Sequence, residues 1–209
     1  MKILLDIEGT TTPIAFVHDV LFPYARAQLA VSDADAVALE AEYARDADRP
    51  SAFDPRGYAL WLMDRDRKST ALKALQGRLW RRGYETGELR SVVFDDVPVA
   101  FAAWHATGMR IEIYSSGSIE AQQLLFRHTN HGDLTPYLAG YHDTTTGPKR
   151  EPASYRAIGG PGTFVSDVVE ELEAASAAGF TGVLAVRPGN ATVRAHPFRV
   201  IRSLAELSA

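Results

Sequence analysis

The sequence predicts an α/β protein: a parallel sheet with helices on both faces, interrupted after its first strand by an all-helical insertion. Three observations predict it. The chain opens on a short continuous apolar run, Ile3-Leu4-Leu5, as a strand buried on both faces requires. From about residue 93 onward, strand-like and helix-like stretches alternate, the pattern of βα units that share one parallel sheet. Between these regions, over about 15–92, the text is rich in Ala, Leu, Glu and Arg at helical spacing and offers no good strand.

Taken in order, residues 2–6 read as the first strand. In the insertion, DADAVALEAEYARDA, PRGYALWLMDRD and STALKALQGRLWRRGYE each carry a helical period. Pro50 and Pro55 bracket a break between helices, and Ser69 stands where an N-cap is expected. Trp61, Met63, Trp80 and Tyr84 lie at near-helical spacings and are assigned to the core of this bundle. Asp96 is read as the cap of a helix over 97–107, closed by Gly108. RIEIYSS (110–116) is a strand running into a polar turn, and a helix follows over about 118–127. AGYHD (139–143) is a short strand. A Gly-Pro-Lys loop, a helix from about 151, the strand TFVS (163–166), a helix over 168–178 closed by Gly179 and the strand GVLAV (182–186) complete the alternation. The expected domains are an α/β core from 1–14 and 93–209 and a helical unit from 15–92.

Composition narrows the function classes. Hydrophobic residues make up 46% of the 209 and charged ones 23%, which predicts a packed core rather than disorder. The net charge is -4 and the basic residues are scattered. Arg78, Arg81 and Arg82 form too small a cluster for a nucleic-acid surface. The absence of cysteine excludes disulfides, thiolate nucleophiles and cysteine-ligated zinc. The histidines show no metal-ligand spacing. No run approaches the ~18 apolar residues of a membrane span. The N-terminal apolar run stops at an acid, unlike a signal peptide. The expectation is a soluble, cytoplasmic protein.

In open α/β sheets, ligands bind beyond the carboxyl ends of the strands. The first strand delivers Asp6 and Glu8 there. The strand at 110–114 delivers Ser115, Ser116, Gly117 and Ser118. A loop delivers Lys149, the strand at 163–166 delivers Ser166 and Asp167, and the next helix adds Glu170 and Glu171. Carboxylates gathered within about 4 Å repel by roughly 1–4 kcal/mol per pair. A hard dication removes that repulsion, and oxygen-only ligands suit Mg²⁺ rather than zinc. Hydroxyls, backbone N–H groups and a lysine suit a phosphate. A carboxylate facing a phosphate can attack phosphorus, and a second can move a proton to the leaving group. Each residue also has a plainer role. Asp6 suits a turn after a strand, and Thr10 to Thr12 suit a cap. Asp167 suits a helix N-terminus, Glu170 a solvated first turn, and Lys149 the surface, with Arg150 beside it as a competitor. Ser115 and Ser116 suit a helix N-cap, but Ser118 is better placed for that and frees the pair.

DIEGTT, YSSGS, GPKREPASY and SDVVEE, in that order, resemble the four motifs of the haloacid-dehalogenase-like (HAD) phosphatases. The likeness goes further. DIEGTTTPI has Glu8 where most of these phosphatases have a second Asp. With ALKALQGRLWRRGY, GDLTPYLAGYHDTTTGPKREPASY and the spacing from Asp167 to Glu171, it is similar to the enolase-phosphatases of the methionine salvage pathway. The resemblance runs from residue 2 to about 190. It implies a Rossmann-like core whose inserted helical cap closes over the strand ends and excludes water. By the same resemblance, Asp6 is the nucleophile and a Mg²⁺ ligand. Glu8 fills the second carboxylate position and lends its main-chain carbonyl to the metal. Ser115 and Ser116 hold the phosphate, Lys149 neutralises it, Asp167 is the remaining protein ligand of a single Mg²⁺, and Glu171 supports the metal from behind. The implied substrate is 2,3-diketo-5-methylthiopentyl-1-phosphate, enolised and then dephosphorylated to an acireductone by a monomeric enzyme. A general HAD-type phosphatase without enolisation is the alternative, and Glu8 and the cap sequence argue against it. A receiver-type regulator also gathers acids at strand ends, but it carries its phosphorylated Asp on a later strand and lacks the large insertion.

Overall fold

The computed structural model describes residues 1–67 and 69–207. They fold as two compact units, one of Met1–His18 with the chain from Arg90 onward, the other Asp19–Leu89. The division falls a few residues inside the 15–92 span read from the sequence. On the C-terminal side the cause is visible. Ser91 N–H donates to His128 O (2.8 Å), Asn130 N–H to Ser91 O (2.7 Å) and Val93 N–H to Asn130 Oδ1 (2.9 Å), which ties 91–93 into the α/β unit.

The first unit begins with β1 (Lys2–Leu5), a short helical turn α1 (Ile14–Phe16) and a π turn at Val17–Leu21 that crosses into the second unit. That second unit holds α2 (Phe22–Ala27), α3 (Asp33–Tyr43), α4 (Pro55–Asp64) and α5 (Thr70–Glu85). Their starts are local sequence chemistry. Ser32 and Asp35 make a reciprocal capping box on α3, Asp54 caps α4 ahead of Pro55, and Ser69 Oγ accepts from Leu72 N–H on α5. Leu39, Tyr58, Ala59, Leu62, Leu75 and Leu79 form the core of the bundle. Tyr84 is buried but lies outside that core cluster, whereas Trp61, Met63 and Trp80 are only partly buried and pack around its rim.

The first unit resumes with α6 (Asp96–Ala106), β2 (Arg110–Tyr114), α7 (Ile119–Arg127), β3 (Leu138–His142), α8 (Pro152–Ile158), β4 (Thr163–Ser166), α9 (Val169–Ala177), β5 (Thr181–Ala185) and β6 (Arg199–Ile201). All six strands are parallel, in the order β3-β2-β1-β4-β5-β6. Both faces are covered. Ile3, Leu5, Ile113, Phe101, Trp104 and Val165 pack on one side, and Leu4, Tyr114, Tyr155, Phe164, Leu172 and Leu184 on the other. Burying each large apolar side chain contributes about 1.5–3 kcal/mol, so the central strands are firmly placed. β6 was not expected from the sequence: it has three residues, two of them exposed. Asp96 does not cap α6. The N-cap is Asp95, without a side-chain bond, and Asp96 Oδ2 instead takes Ser203 Oγ–H (2.9 Å) and faces Arg187 Nη2 (2.9 Å).

This strand order reverses direction between β1 and β4, the two neighbours of opposite winding. The crevice outside their carboxyl ends is the switch point where such sheets bind ligands. Asp6 follows β1 and Asp167 follows β4.

Candidate active site

Register brings the acids together. Leu5 lies opposite Ile113 on one side and Val165 on the other, and Asp6 N–H donates to Val165 O (2.9 Å). Asp6 therefore leaves the sheet between Tyr114 and Ser166, one residue short of Ser115. One of its oxygens, Oδ1, accepts from Ile7 N–H (2.8 Å) and lies 2.6 Å from Lys149 Nζ. Lys149 Nζ lies equally close, 2.6 Å, to Glu171 Oε2. Ser166 Oγ–H reaches Glu171 Oε2 at 2.9 Å, with Asp6 Oδ2 at 3.5 Å, and itself accepts from Val168 N–H (3.1 Å). Tyr155 hydroxyl donates to Lys149 O (2.7 Å), holding the lysine's backbone from α8.

The charge balance is negative. Asp6, Asp167 and Glu171 share one lysine in a largely buried space. Burial alone would lower the Lys149 pKa, but the charges of Asp6 and Glu171 outweigh it and lift it to about 12. Burial and the neighbouring charges of Asp6 and Glu171 push Asp167 up to about 7. Burial and Asp6 also hold Glu171 above the usual carboxylate range, with Lys149 and Ser166 acting against them. Such a site draws in a cation.

The turn after β1 shapes that space. Thr10, Thr11 and Thr12 are fully buried, and their N–H groups converge on Ile7 O at 3.2, 2.9 and 2.9 Å. Thr11 Oγ–H adds bonds to Asp6 O and Ile7 O. The carbonyls of Gly9, Thr10 and Thr11 accept from Asn190 Nδ2 (2.9 Å), Arg187 Nε (3.0 Å) and Phe94 N–H (3.1 Å). Gly9 is required here. Its φ is +65°, and a Cβ would sit 2.3 Å from Asp167 Oδ2. Its missing side chain leaves a cradle beside that carboxylate. Glu8 sits on this turn, half-buried and bridged to Thr12.

Ser115 is buried, its N–H donating to His142 O (3.2 Å) and its Oγ accepting from Gly117 N–H (3.2 Å), while Ser116 is exposed. Ser118 Oγ caps α7 by accepting from Ala121 N–H (3.2 Å). Asp167 does not cap α9: the N-cap is Val168. Glu170 is exposed beside Arg194 (3.5 Å). The structure thus joins Asp6, Lys149 and Glu171 in direct contact and sets Asp167 across Gly9. It places Glu8, Ser115 and Ser116 on the adjoining segments. Three residues escaped the sequence reading. Gln122 Nε2 on α7 ties Gly117 O to His142 O, both at 2.8 Å. Arg187 and Asn190 grip the turn after β1. For the last two the available signal was RPGN, a turn tetrapeptide at a strand's carboxyl end.

The donors suit a hard dication. Asp6 and Asp167 supply carboxylate oxygens, and the chain has no cysteine to offer a thiolate. Among the described residues no three His, Asp or Glu side chains gather as a ready-made metal cluster. A cation here would be held by two carboxylates with main-chain, water or phosphate oxygens, which suits Mg²⁺.

No family model matches the chain. Among similar sequences, enolase-phosphatase E1 of Synechococcus elongatus is 49% identical over 229 residues, covering 98% of this chain and 96% of that one. Enolase-phosphatase E1 of Sorangium cellulosum is 48% identical, covering 90% and 89%. A probable bifunctional methylthioribulose-1-phosphate dehydratase/enolase-phosphatase E1 of Oryza sativa subsp. indica is 43% identical, covering 98% of this chain and 46% of that longer one. Among solved structures, the UTR4 protein of Saccharomyces cerevisiae superposes with a TM-score of 0.76 at 33% identity, covering 99% of each chain. CbbY of Rhodobacter sphaeroides, at 17% identity and a TM-score of 0.63, shares the fold.

Proposed function

The chain belongs to the enolase-phosphatase E1 family of HAD-type hydrolases, and from that premise we propose how its residues divide the work. The protein is a phosphatase and enolase of methionine salvage. The substrate assigned to it is 2,3-diketo-5-methylthiopentyl-1-phosphate, enolised and then hydrolysed to an acireductone. The observation that carries the residue assignment is Lys149 Nζ, 2.6 Å from both Asp6 Oδ1 and Glu171 Oε2 at the switch point of the sheet.

Lys149 and Ile7 N–H orient the Asp6 carboxylate for in-line attack. Asp6 forms a bond to phosphorus as the bond to the substrate oxygen breaks. Glu8 gives that oxygen its proton, and water then hydrolyses the aspartyl-phosphate. Ser115 and Ser116 hold the phosphate oxygens, and Lys149 offsets their charge. Asp6, Asp167 and the Glu8 main-chain carbonyl are the residues assigned to one Mg²⁺, which when bound neutralises charge on the phosphate. Glu171 supports this arrangement through Lys149 and Ser166. The helical unit is assigned the part of a cap that selects the substrate. The resemblance further supports a monomeric, cytoplasmic enzyme. Among the described residues, no helix is long and apolar enough to cross a membrane.

The direct test supplies Mg²⁺ and the diketone phosphate and follows enol absorbance and phosphate release together. Both signals should appear, with p-nitrophenyl phosphate turned over far more slowly. Phosphate release without a transient enol, or a preference for the simple ester, would favour the general phosphatase instead.

A further inference from the structure

Two oxygens face the point where a Cβ on Gly9 would sit: Asp167 Oδ2 at 2.3 Å and Asn190 Oδ1 at 2.9 Å. The other end of the Asn190 amide sets its orientation. Nδ2 donates to Gly9 O (2.9 Å) and to Ala185 O (3.2 Å), which only an NH₂ group can serve. Oδ1 is thereby turned toward Asp167. It is buried and accepts no hydrogen bond from any described residue. A carboxylate oxygen and an amide oxygen, acceptors both, thus face one cradle without a protein donor between them. Asn190 Oδ1, as a buried acceptor, requires a donor from the cradle it shares with Asp167.

We propose that Asn190 is a positioning residue of the cation site: Nδ2 fixes the Gly9 carbonyl, and Oδ1 accepts a hydrogen bond from water carried by a dication at Asp6 and Asp167. The inference rests on the Mg²⁺ reading above. Asn190 touches neither phosphorus nor the reacting oxygens. It acts through the turn after β1 and through the hydration of the ion. Partners of this outer kind typically set metal affinity by 10- to 100-fold.

The test is Mg²⁺ binding to the full chain without substrate, by titration calorimetry, for the wild type, Asn190→Ala and Asn190→Asp. Asn190→Ala removes donor and acceptor and should weaken binding by at least about tenfold. Asn190→Asp loses the donor to Gly9 but keeps the acceptor, and should bind Mg²⁺ close to the wild-type value or tighter. If both variants weaken alike, the donor alone matters and the acceptor role falls. If Asn190→Ala binds as the wild type does, the whole proposal falls. A wild type that binds no Mg²⁺ overturns the metal reading itself, a separate result. In the unmodified protein, the Asn190 side-chain amide resonances should shift during the titration with the same Kd. Resonances that stay still overturn the proposal even where a variant does not fold.

Discussion

Replacing Lys149 by methionine removes the cation that contacts both Asp6 and Glu171 while keeping most of the aliphatic stem. Both contacts are 2.6 Å, and the lysine side chain is only 9% exposed, so solvent does little to screen the loss. Breaking a buried pair by deleting one partner costs about 3–5 kcal/mol, because the remaining charge is stranded. Linkage gives a lower figure from the lysine alone. Its pKa rises from 10.5 to about 12, which at 1.36 kcal/mol per pH unit is roughly 2 kcal/mol. That contribution is fully present below pH 10.5 and is lost as pH rises through about 12. In the variant, Glu171, already held above the usual carboxylate range by burial and by Asp6, loses the lysine that acts against them and holds its proton more tightly than in the unfolded chain, so the deficit shrinks as pH falls. Urea unfolding without metal, at pH 8 and pH 5.5, measures this through Trp104, which is 1% exposed in the core of the α/β unit. Trp61 and Trp80 would be replaced by phenylalanine to keep the helical unit silent. The variant should lose about 3–5 kcal/mol at pH 8 and clearly less at pH 5.5. A loss under about 1 kcal/mol at pH 8, within the range of exposed pairs, or an equal loss at both pH values, would refute the reasoning.

Asp6→Asn should abolish phosphate release with the fold intact, since the near-isosteric amide cannot attack phosphorus; turnover within about tenfold of wild type would remove Asp6 from the nucleophile role. Asp167→Ala should raise the Mg²⁺ concentration for half-maximal activity by at least about tenfold, and full activity of the native protein in excess EDTA would contradict the metal assignment. Asp167, pushed up to about 7, binds its proton more tightly folded than unfolded, so the metal-free protein should lose stability as pH rises from about 4 through 7. Protons then compete with the ion, and Mg²⁺ should raise Tm more at pH 8 than at pH 5.5; an equal rise would exclude Asp167 as the titrating ligand. Glu8 is one methylene longer than the Asp usual at its position, and we assign it the enolisation proton as well as that of the leaving oxygen; Glu8→Asp should therefore keep phosphatase activity on a simple ester but lose most enolisation, and Glu8→Gln should impair both. Equal slowing of both steps by Glu8→Asp would move the enolisation base elsewhere.

Much of the molecule is legible in its sequence because the relevant forces are local. The caps Ser69 and Ser118 act on residues three positions ahead. The apolar run Ile3-Leu4-Leu5 announces a strand covered on both faces, and the polar residues just past β1 and β4 include Asp6 and Asp167, the carboxylates proposed for the site. Other features depend on partners far away in the chain. Asp96 looks like a cap, yet its carboxylate serves Arg187, Ser203 and Leu204 across more than 90 residues. Glu112 looks misplaced in an apolar strand, and is held there by Lys2 (3.6 Å), Arg110 (2.9 Å) and His142 (3.0 Å). The turn of Gly9 to Thr12 satisfies one carbonyl itself, Thr12 O from Gly9 N–H (2.8 Å), but not those of Gly9, Thr10 and Thr11, since its other N–H groups point inward to Ile7 O. Only the packed sheet brings Arg187 and Asn190 to those carbonyls from a loop after β5. Local patterns name the groups because spacing along the chain sets them. Which buried oxygen meets which donor is decided by tertiary contact, because a buried polar atom must find a partner wherever the fold supplies one.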